Sequence, residues 1–488
     1  MHRYLSSERA AGRLVGGGRV EGELWTWEAT ALAAAVRTGE LSAREVVDSH
    51  LERIAAVNPQ VNALAQLQGD RARESAAALD RARSAGHDPG PLAGVPFSVK
   101  ASLDIEGVPT THGARHFARD PARRDAPPVA RLRSAGAIPL AHGNMPTLTL
   151  AGVHSRSQLF GDTANPWNAQ VTPGGSSGGD GAAVASGMVP FGLGQDAGGS
   201  VRLPAAFCGV AGLKPSSGRY PADHRIGPED PPLGSQELVV DGPLARSTGD
   251  LRAIHRVLSG TDPRDPRALP VPVNLPEVDG PIRVAVVTDP GWGVHPDVRA
   301  AVEAAAGALS DAGYPLVEVP GPPMLEETLE AYGQLVMTEF SGSWPRIRTC
   351  LDEEEHRYIE FGMARTAPVG LAEYLRLTGT RLSVRRAWAE FQREYPLMLG
   401  PVSTEPAFPP GLEARDAEGH RRVTQAISLC SVTSFAGLPS AAVSGGVFGG
   451  LPQGVQLIGR VFREDLCLDA AAAVEARIGR LAPVGRGA

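Results

Sequence analysis

Cysteine is scarce: Cys208, Cys350, Cys430 and Cys467 are the only four in 488 residues, and they stand too far apart to make a Cys-x-x-Cys pair or a metal set. They read as reduced, buried small hydrophobes. No His, Cys, Asp or Glu cluster has ligand spacing either, so neither a metal nor any other cofactor is expected. Long apolar runs are missing. No stretch approaches the roughly 18 residues of a spanning helix, and the opening MHRYLSSERAAGRLVGGGRVEGE lacks the apolar core of a signal peptide. Charged residues make up 21% with a net charge of -7 and no long block of one sign, a balance that gives no sign of a nucleic-acid or membrane-surface partner. The chain therefore reads as soluble and cytoplasmic, long enough to bury a large core, with residues 1–25 as a flexible tail.

Glycine, in contrast, is plentiful, and it crowds two places beside serine. Residues 172–204 read TPGGSSGGDGAAVASG and then MVPFGLGQDAGGSVRLP. Gly174, Gly175, Gly178 and Gly179 flank Ser176 and Ser177, while Gly198 and Gly199 lead into Ser200. Dense glycine marks positive φ angles or close approach of main chain to something bound. A flexible linker would be longer and more polar, whereas Ala182, Ala183, Val184, Ala185, Met188, Val189, Phe191 and Leu193 separate these loops, which an apolar, alanine-rich helix is expected to join. A phosphate-cradling loop needs Lys-Ser or Lys-Thr after its last glycine, and none follows Gly179. A nucleophile elbow fits twice, at Gly174–Gly178 and at Gly175–Gly179, but PWNAQVTP ahead of it does not read as the required strand.

The whole pattern resembles the signature of the amidase signature family of serine hydrolases. TPGGSSGGDGAAVASG is followed by GLGQDAGGSVRLPAAFCGVAGLKP, and GVPFSVKAS at 94–102 is similar to that family's lysine motif. Order and the 24-residue spacing from Ser176 to Ser200 match, and GDTANPWN, DGPLARSTGDL and GLPQGVQLIGRVFREDLCLDAAAAVEARI extend the similarity to nearly everything beyond residue 25. The resemblance implies an α/β fold: a single large domain, 26–488, in which helices cover a twisted mixed β-sheet. It also implies Ser200 as nucleophile, Lys100 as base and Ser176 as the bridge passing the proton between them, with a cis Gly175–Ser176 peptide. The main-chain N–H groups of Ala197, Gly198, Gly199 and Ser200 are then candidates for an oxyanion hole, and Ser177, Asp196 and Arg202 support the loop by hydrogen bonds.

Along the chain, two helices are expected between Thr26 and Val57, broken at Gly39, the second opened by a Ser42/Glu45 capping box. A solvated helix follows near 70–85. GVPFSVK reads as a strand apolar on both faces that ends on Lys100. A lysine there ordinarily snorkels to solvent. To act as a base it must be neutral, which burial away from a carboxylate partner favours. A helix at 127–137 and a strand at 137–141 suggest parallel pairing. HGNM departs from the family, which has a lysine-threonine pair before Asn144. His142 and His154 are lone histidines without a paired acid at motif spacing, and read as structural.

The proline- and charge-rich 223–237 reads as a surface loop, and 260–281 as a connector. A strand-helix-strand unit is expected at 282–287, 296–312 and 315–319. Residues 321–400 read as helical and resemble the family least, so they are expected to shape the substrate pocket. Their aromatics, Trp344, Tyr358, Phe361, Tyr374, Trp388 and Phe391, read as core. SLCSVTSFAGLPSAAVSGG and LPQGVQLIG are read as the last strands, and LDAAAAVEARI as the final helix.

The expected activity is hydrolysis of a carboxamide C–N bond through a serine acyl-enzyme, acting on a small-molecule amide. Three alternatives stay open: an acyltransferase or ester hydrolase using the same triad, a non-hydrolytic binding protein, and the glutaminase subunit of a tRNA-dependent amidotransferase. KPSSGRYPADHRIGPEDPP lacks that last branch's serine-serine-leucine-aspartate stretch. Assembly as a homodimer is left open.

Overall fold

PFSVK is buried at every position, its Ser98 and Lys100 included, and it forms the strand around which one half of the sheet assembles. The computed structural model describes residues 23–227, 229–278 and 280–485. In chain order the strands are β1 (Leu64–Ala65), β2 (Pro96–Lys100), β3 (Ile138–Gly143), β4 (Arg156–Ser157), β5 (Gly161–Asp162), β6 (Phe191–Asp196) and β7 (Ala211–Lys214). They continue with β8 (Val240–Ala245), β9 (Val284–Val286), β10 (Leu316–Glu318), β11 (Leu397–Pro401), β12 (Ser440–Phe448) and β13 (Leu451–Gly459). Eleven of these form one sheet, in the order β1-β3-β2-β6-β8-β7-β12-β13-β11-β9-β10, and β4 and β5 pair separately.

The sheet is mixed, as expected. β2 runs parallel to both β3 and β6, and β9 runs parallel to β10 and β11. Antiparallel pairs from β6 through β8, β7, β12 and β13 to β11 join these parallel groups.

Helices cover it. α1 (Ala29–Thr38) stops at Gly39, whose φ of 82° is open to glycine at little cost. α2 (Ala43–Val61) begins with the expected capping box, the Glu45 N–H donating to Ser42 Oγ at 3.1 Å and the Ser42 N–H to Glu45 Oε2 at 2.8 Å. α3 (Gly69–Ser84) buries only Ala72 and Ala76, and α4 (Pro127–Ser134) is the crossover helix ahead of β3. Then come α5 (Gly178–Ala185), α6 (Arg202–Cys208), α7 (Leu233–Leu238), α8 (Thr248–Leu258) and α9 (Pro296–Asp311). α10 (Leu325–Ile347), α11 (Glu353–Arg365) and α12 (Leu371–Glu394) form the helical region, and α13 (Leu412–Arg415), α14 (Ala417–Ala426), α15 (Ser428–Ala436) and α16 (Glu464–Ile478) complete the chain. No helix among the described residues is long and apolar enough to cross a membrane.

Five expectations need correction or division. Residues 223–237 do not stay irregular to their end: α7 begins at Leu233, directly after Pro232, where proline's fixed φ and missing N–H suit a helix start. SLCSVTSFA is the helix α15, not a strand. It is buried on all sides, so no polar stripe betrays its helical period. The last helix starts at Glu464, ahead of Leu468. Among the aromatics, Trp388, Tyr374 and Phe391 do join a second apolar core with α10 and α15, but Trp344 and Tyr358 instead lie against His356 and His420, at 5.5 and 5.1 Å between ring centres. Most of the expected tail falls on residues 1–22, outside the described residues; Trp25, within its last three, is buried beneath the Arg53 guanidinium.

Candidate active site

Strand β2 carries Lys100 into the interior at its C-terminal end, and α5 is preceded by the serine loop that meets it. Lys100 Nζ and Ser176 Oγ are hydrogen-bonded at 2.6 Å, and both side chains are buried. The Gly175–Ser176 peptide is cis, as the sequence resemblance implies. Gly175 could not be another residue, because a Cβ there would lie 2.2 Å from the carbonyl oxygen of Gly152. The loop is clamped by Ser155, whose hydroxyl donates to Gly174 O at 3.1 Å and accepts from the Gly178 N–H at 3.0 Å.

The second serine loop follows β6. The Ser177 N–H donates to Ser200 O at 3.1 Å, tying the two loops together, while Ser177 Oγ accepts from Gln195 N–H at 3.2 Å. Ser200 is half-buried, the only member of the expected triad with part of its surface open. Asp196 holds the loop from beneath. Its carboxylate accepts from the N–H groups of Gly199 (2.8 Å) and Val201 (3.1 Å) and from Arg202 Nη2 (2.9 Å) and Nε (3.0 Å). Arg202 in turn donates to Cys430 O, Ser434 Oγ, Gln456 Oε1 and Thr433 Oγ1, so α15 and β13 are locked to the same centre. Burial would push the Asp196 carboxyl up, but the charge and hydrogen bonds of Arg202 outweigh it and hold the group well below the usual carboxylate range.

The oxyanion-hole expectation needs one correction. Gly199 N–H is already spent on Asp196, whereas the amides of Ala197, Gly198 and Ser200 donate to nothing among the described residues. Three donors remain, not four.

Lys100 is pushed down to about 8 by burial, against the opposing charges of Asp180, Asp196 and Asp241. The expected isolation from carboxylates therefore does not hold. Acids surround the lysine, yet its Nζ bonds to no carboxylate among the described residues, and desolvation still prevails. A lysine with this pKa is neutral in an appreciable fraction of molecules near neutral pH. A neutral amine beside one serine, a second serine on an adjoining loop and free amides around it can together deprotonate a nucleophile and stabilise an oxyanion.

The competing bases are occupied elsewhere. His142 Nδ1 and Nε2 lie 2.9 Å from Gln66 Oε1 and 3.1 Å from Leu103 O, and burial pushes the imidazole down to about 4. His154 bridges Thr172 and Asp162. No strand leads directly into Ser176, residues 163–175 being irregular, which removes the structural context of a nucleophile elbow. Asn144, in the departing HGNM, is fully bonded, its side-chain N–H groups donating to Gly161 O and Thr163 Oγ1, each at 3.0 Å.

Comparison with known proteins agrees with this geometry. The family model described as Amidase matches residues 45–468. The chain belongs to the amidase family. Among its relatives, the indoleacetamide hydrolase of Bradyrhizobium diazoefficiens is 38% identical over 465 residues, covering 95% of this chain and 88% of that protein. A glutamyl-tRNA(Gln) amidotransferase component from a Synechococcus strain is 34% identical, covering 89% of this chain and 94% of that relative. The solved structure of 6-aminohexanoate cyclic dimer hydrolase with its substrate superposes with a TM-score of 0.80 at 28% identity, over 94% of this chain and 98% of that one. This amidase is thus a hydrolase of amide C–N bonds, built on the fold its sequence implies.

Two features of the amidase's site escaped sequence reading. Tyr332, on α10, donates its hydroxyl to Ala197 O at 3.2 Å, and a Cβ on Gly198 would lie 2.5 Å from the Tyr332 hydroxyl oxygen. Nothing in the spacing links residues 135 positions apart. The other is Asp180 with Ser98, where a carboxylate in an otherwise apolar helix was the available signal.

Proposed function

We propose that this amidase cleaves small carboxamides by acylation of Ser200, with Lys100 as the base and Ser176 as the relay. The observation that carries the reading is the buried Lys100 Nζ at 2.6 Å from Ser176 Oγ, in a loop bonded to Ser200 through Ser177. Ser200 Oγ attacks the amide carbon as its proton passes to Ser176 and the Ser176 proton passes to Lys100. The N–H groups of Ala197, Gly198 and Ser200 receive the developing oxyanion, each such donor being worth about 3 kcal/mol. When the C–N bond breaks, the proton returns through Ser176 to the leaving nitrogen. Water, deprotonated by the same relay, then frees the carboxylate product.

The substrate class we propose is a primary amide with an aromatic acyl group. Two things support it: the 38% identity to an indoleacetamide hydrolase, and the tyrosine that α10 sets against the Ala197–Gly198 main chain. The identity to an amidotransferase component supports a second reading, in which released ammonia serves a partner. Turnover of indole-3-acetamide and other arylacetamides by the purified chain alone, together with a fluorophosphonate adduct mapped to Ser200, is the expected outcome. An adduct on Ser176 or Ser177 overturns the assignment, and glutamine turnover only in the presence of a partner favours the second reading.

A further inference from the structure

Ser98 and Lys100 stand two residues apart on β2, so their side chains leave the strand on the same face. Asp180, in the first turn of α5, meets that face. Its Oδ1 accepts from Ser98 Oγ at 2.6 Å, the residue is wholly buried, and Oδ2 has no partner among the described residues. The neighbouring strands are cut away to admit it. Lys100 pairs with Gly143 on β3, and Ser98 pairs with Gly192 on β6. A Cβ on Gly143 would lie 2.4 Å from Asp180 Oδ1, and one on Gly192 would lie 2.9 Å from Asp180 Cβ and 2.7 Å from Ser98 Oγ. A buried carboxylate with an orphaned oxygen is among the costliest groups a core can hold, and one given its own seat on both sides of the base calls for a role.

We propose that Asp180 is a positioning residue for the base: held by Ser98, its carboxylate faces Lys100 and stabilises the lysinium that forms when Lys100 receives the serine proton. No proton moves to Asp180. The Ser200 O–H bond breaks as the Oγ–carbon bond forms, the proton reaches Lys100 through Ser176, and it leaves again with the amine. Asp180, in its charged form, stabilises the lysinium and takes no bond to the moving proton.

Other charged groups face the same lysine, but they are otherwise engaged. Asp196 at the end of β6 is paired with Arg202, and Asp241 on β8 lies 3.1 Å from His224 Nε2 through Oδ1, its Oδ2 having no partner among the described residues. His112, in the turn after β2, and His142, on β3, are kept neutral, each pushed down to about 4 by burial. Lys214, which acts on Asp196 from β7, donates to Pro215 O and Leu438 O. Asp180 has a hydroxyl for a partner and no ion pair among the described residues. It is also the largest of the charges opposing the desolvation of Lys100, while burial pushes Asp180 itself up to about 7 against the Ser98 bond and the lysine's charge. The two groups therefore titrate as a pair.

The inference rests on the assignment of Lys100 as base, and the test separates the two. Asp180→Asn keeps the shape and an oxygen for Ser98 while removing the charge. In kcat/KM for an amide against pH, its acid limb is expected to move down by about one pH unit and its plateau to fall roughly tenfold, with ester cleavage losing less. Ser98→Ala, which withdraws the hydrogen bond favouring the charged carboxylate, is expected to move the limb the same way by a smaller amount, and it decides the matter should Asp180→Asn not fold. A limb that stays at its wild-type position in the folded variants overturns the proposal. Lys100→Ala identifies which idea has failed: a limb lost there but unmoved in Asp180→Asn sinks only the role of Asp180, whereas a limb that survives in Lys100→Ala sinks the base and this inference with it.

Discussion

The stretch from β2 to α6 and the stretch from α10 to α12 meet at the Ala197–Ser200 loop, and they are built on opposite plans. Every residue of α5 and α6 is buried, whereas α10 buries three of its 23 residues and α12 four of its 24. In the first region, Lys100, Ser176, Asp196 and Arg202 sit in the core, and the two serine loops are fixed by bonds from several elements at once. In the second, half-buried aromatics line helices that touch the site through Tyr332. The chemistry of amide cleavage is common to the family, so it occupies the part of the molecule least able to change. The named substrates differ between relatives, and the helices that reach the loop through Tyr332 are held more loosely.

That contrast can be broken by substitution, and the largest effect is expected at Lys100. Lys100→Ala should lower amide turnover by about 10³-fold or more, and Lys100→Arg should not restore it, since arginine stays protonated. In the proposed role the lysine works only when neutral, so wild-type kcat/KM should rise with pH through about 8, where burial places its pKa, and the limb should vanish in Lys100→Ala. Near-normal activity in Lys100→Arg would end the case for a lysine base.

Next in size is the loop anchor. Asp196→Ala leaves Arg202 buried without its carboxylate, a loss of about 3–5 kcal/mol that a shift in the denaturant midpoint should report. Tyr332→Phe removes one hydrogen bond and is expected to cost about 1 kcal/mol in kcat/KM, by amounts that differ between aromatic and aliphatic amides. Were it instead to match Lys100→Ala, the division between the two regions would be wrong. Leu382→Gln, at a side chain 51% exposed on α12, should change stability by less than about 0.5 kcal/mol and leave Ser200 labelling as it was.

The first region was largely legible in the sequence because its parts are contiguous: Lys100 ends an apolar run, and Ser176, Ser177, Asp196, Ser200 and Arg202 fall within one glycine-marked stretch. Gly199 shows the limit of that legibility. Its place in the motif suggests an oxyanion donor, but only the folded loop reveals that Asp196 has claimed its N–H. Asp180 was hidden for a related reason, since its meaning depends on glycines at 143 and 192 that only strand pairing brings beside it. α15 was missed because burial on every side erases periodicity, and Tyr332 because no local pattern foretells a contact across 135 residues.

α5 is the short span between Ser176 and β6, and all eight of its residues are buried. Its amides should accordingly exchange with solvent deuterium only when the entire domain opens, while those in the outward turns of α10 and α12 exchange through local fraying. The catalyst is then as durable as the fold: partial unfolding of the helical wall would spoil recognition of the acyl group while leaving the nucleophile competent toward a small reagent. Heat or denaturant should therefore extinguish turnover of a bulky amide before it extinguishes labelling of Ser200.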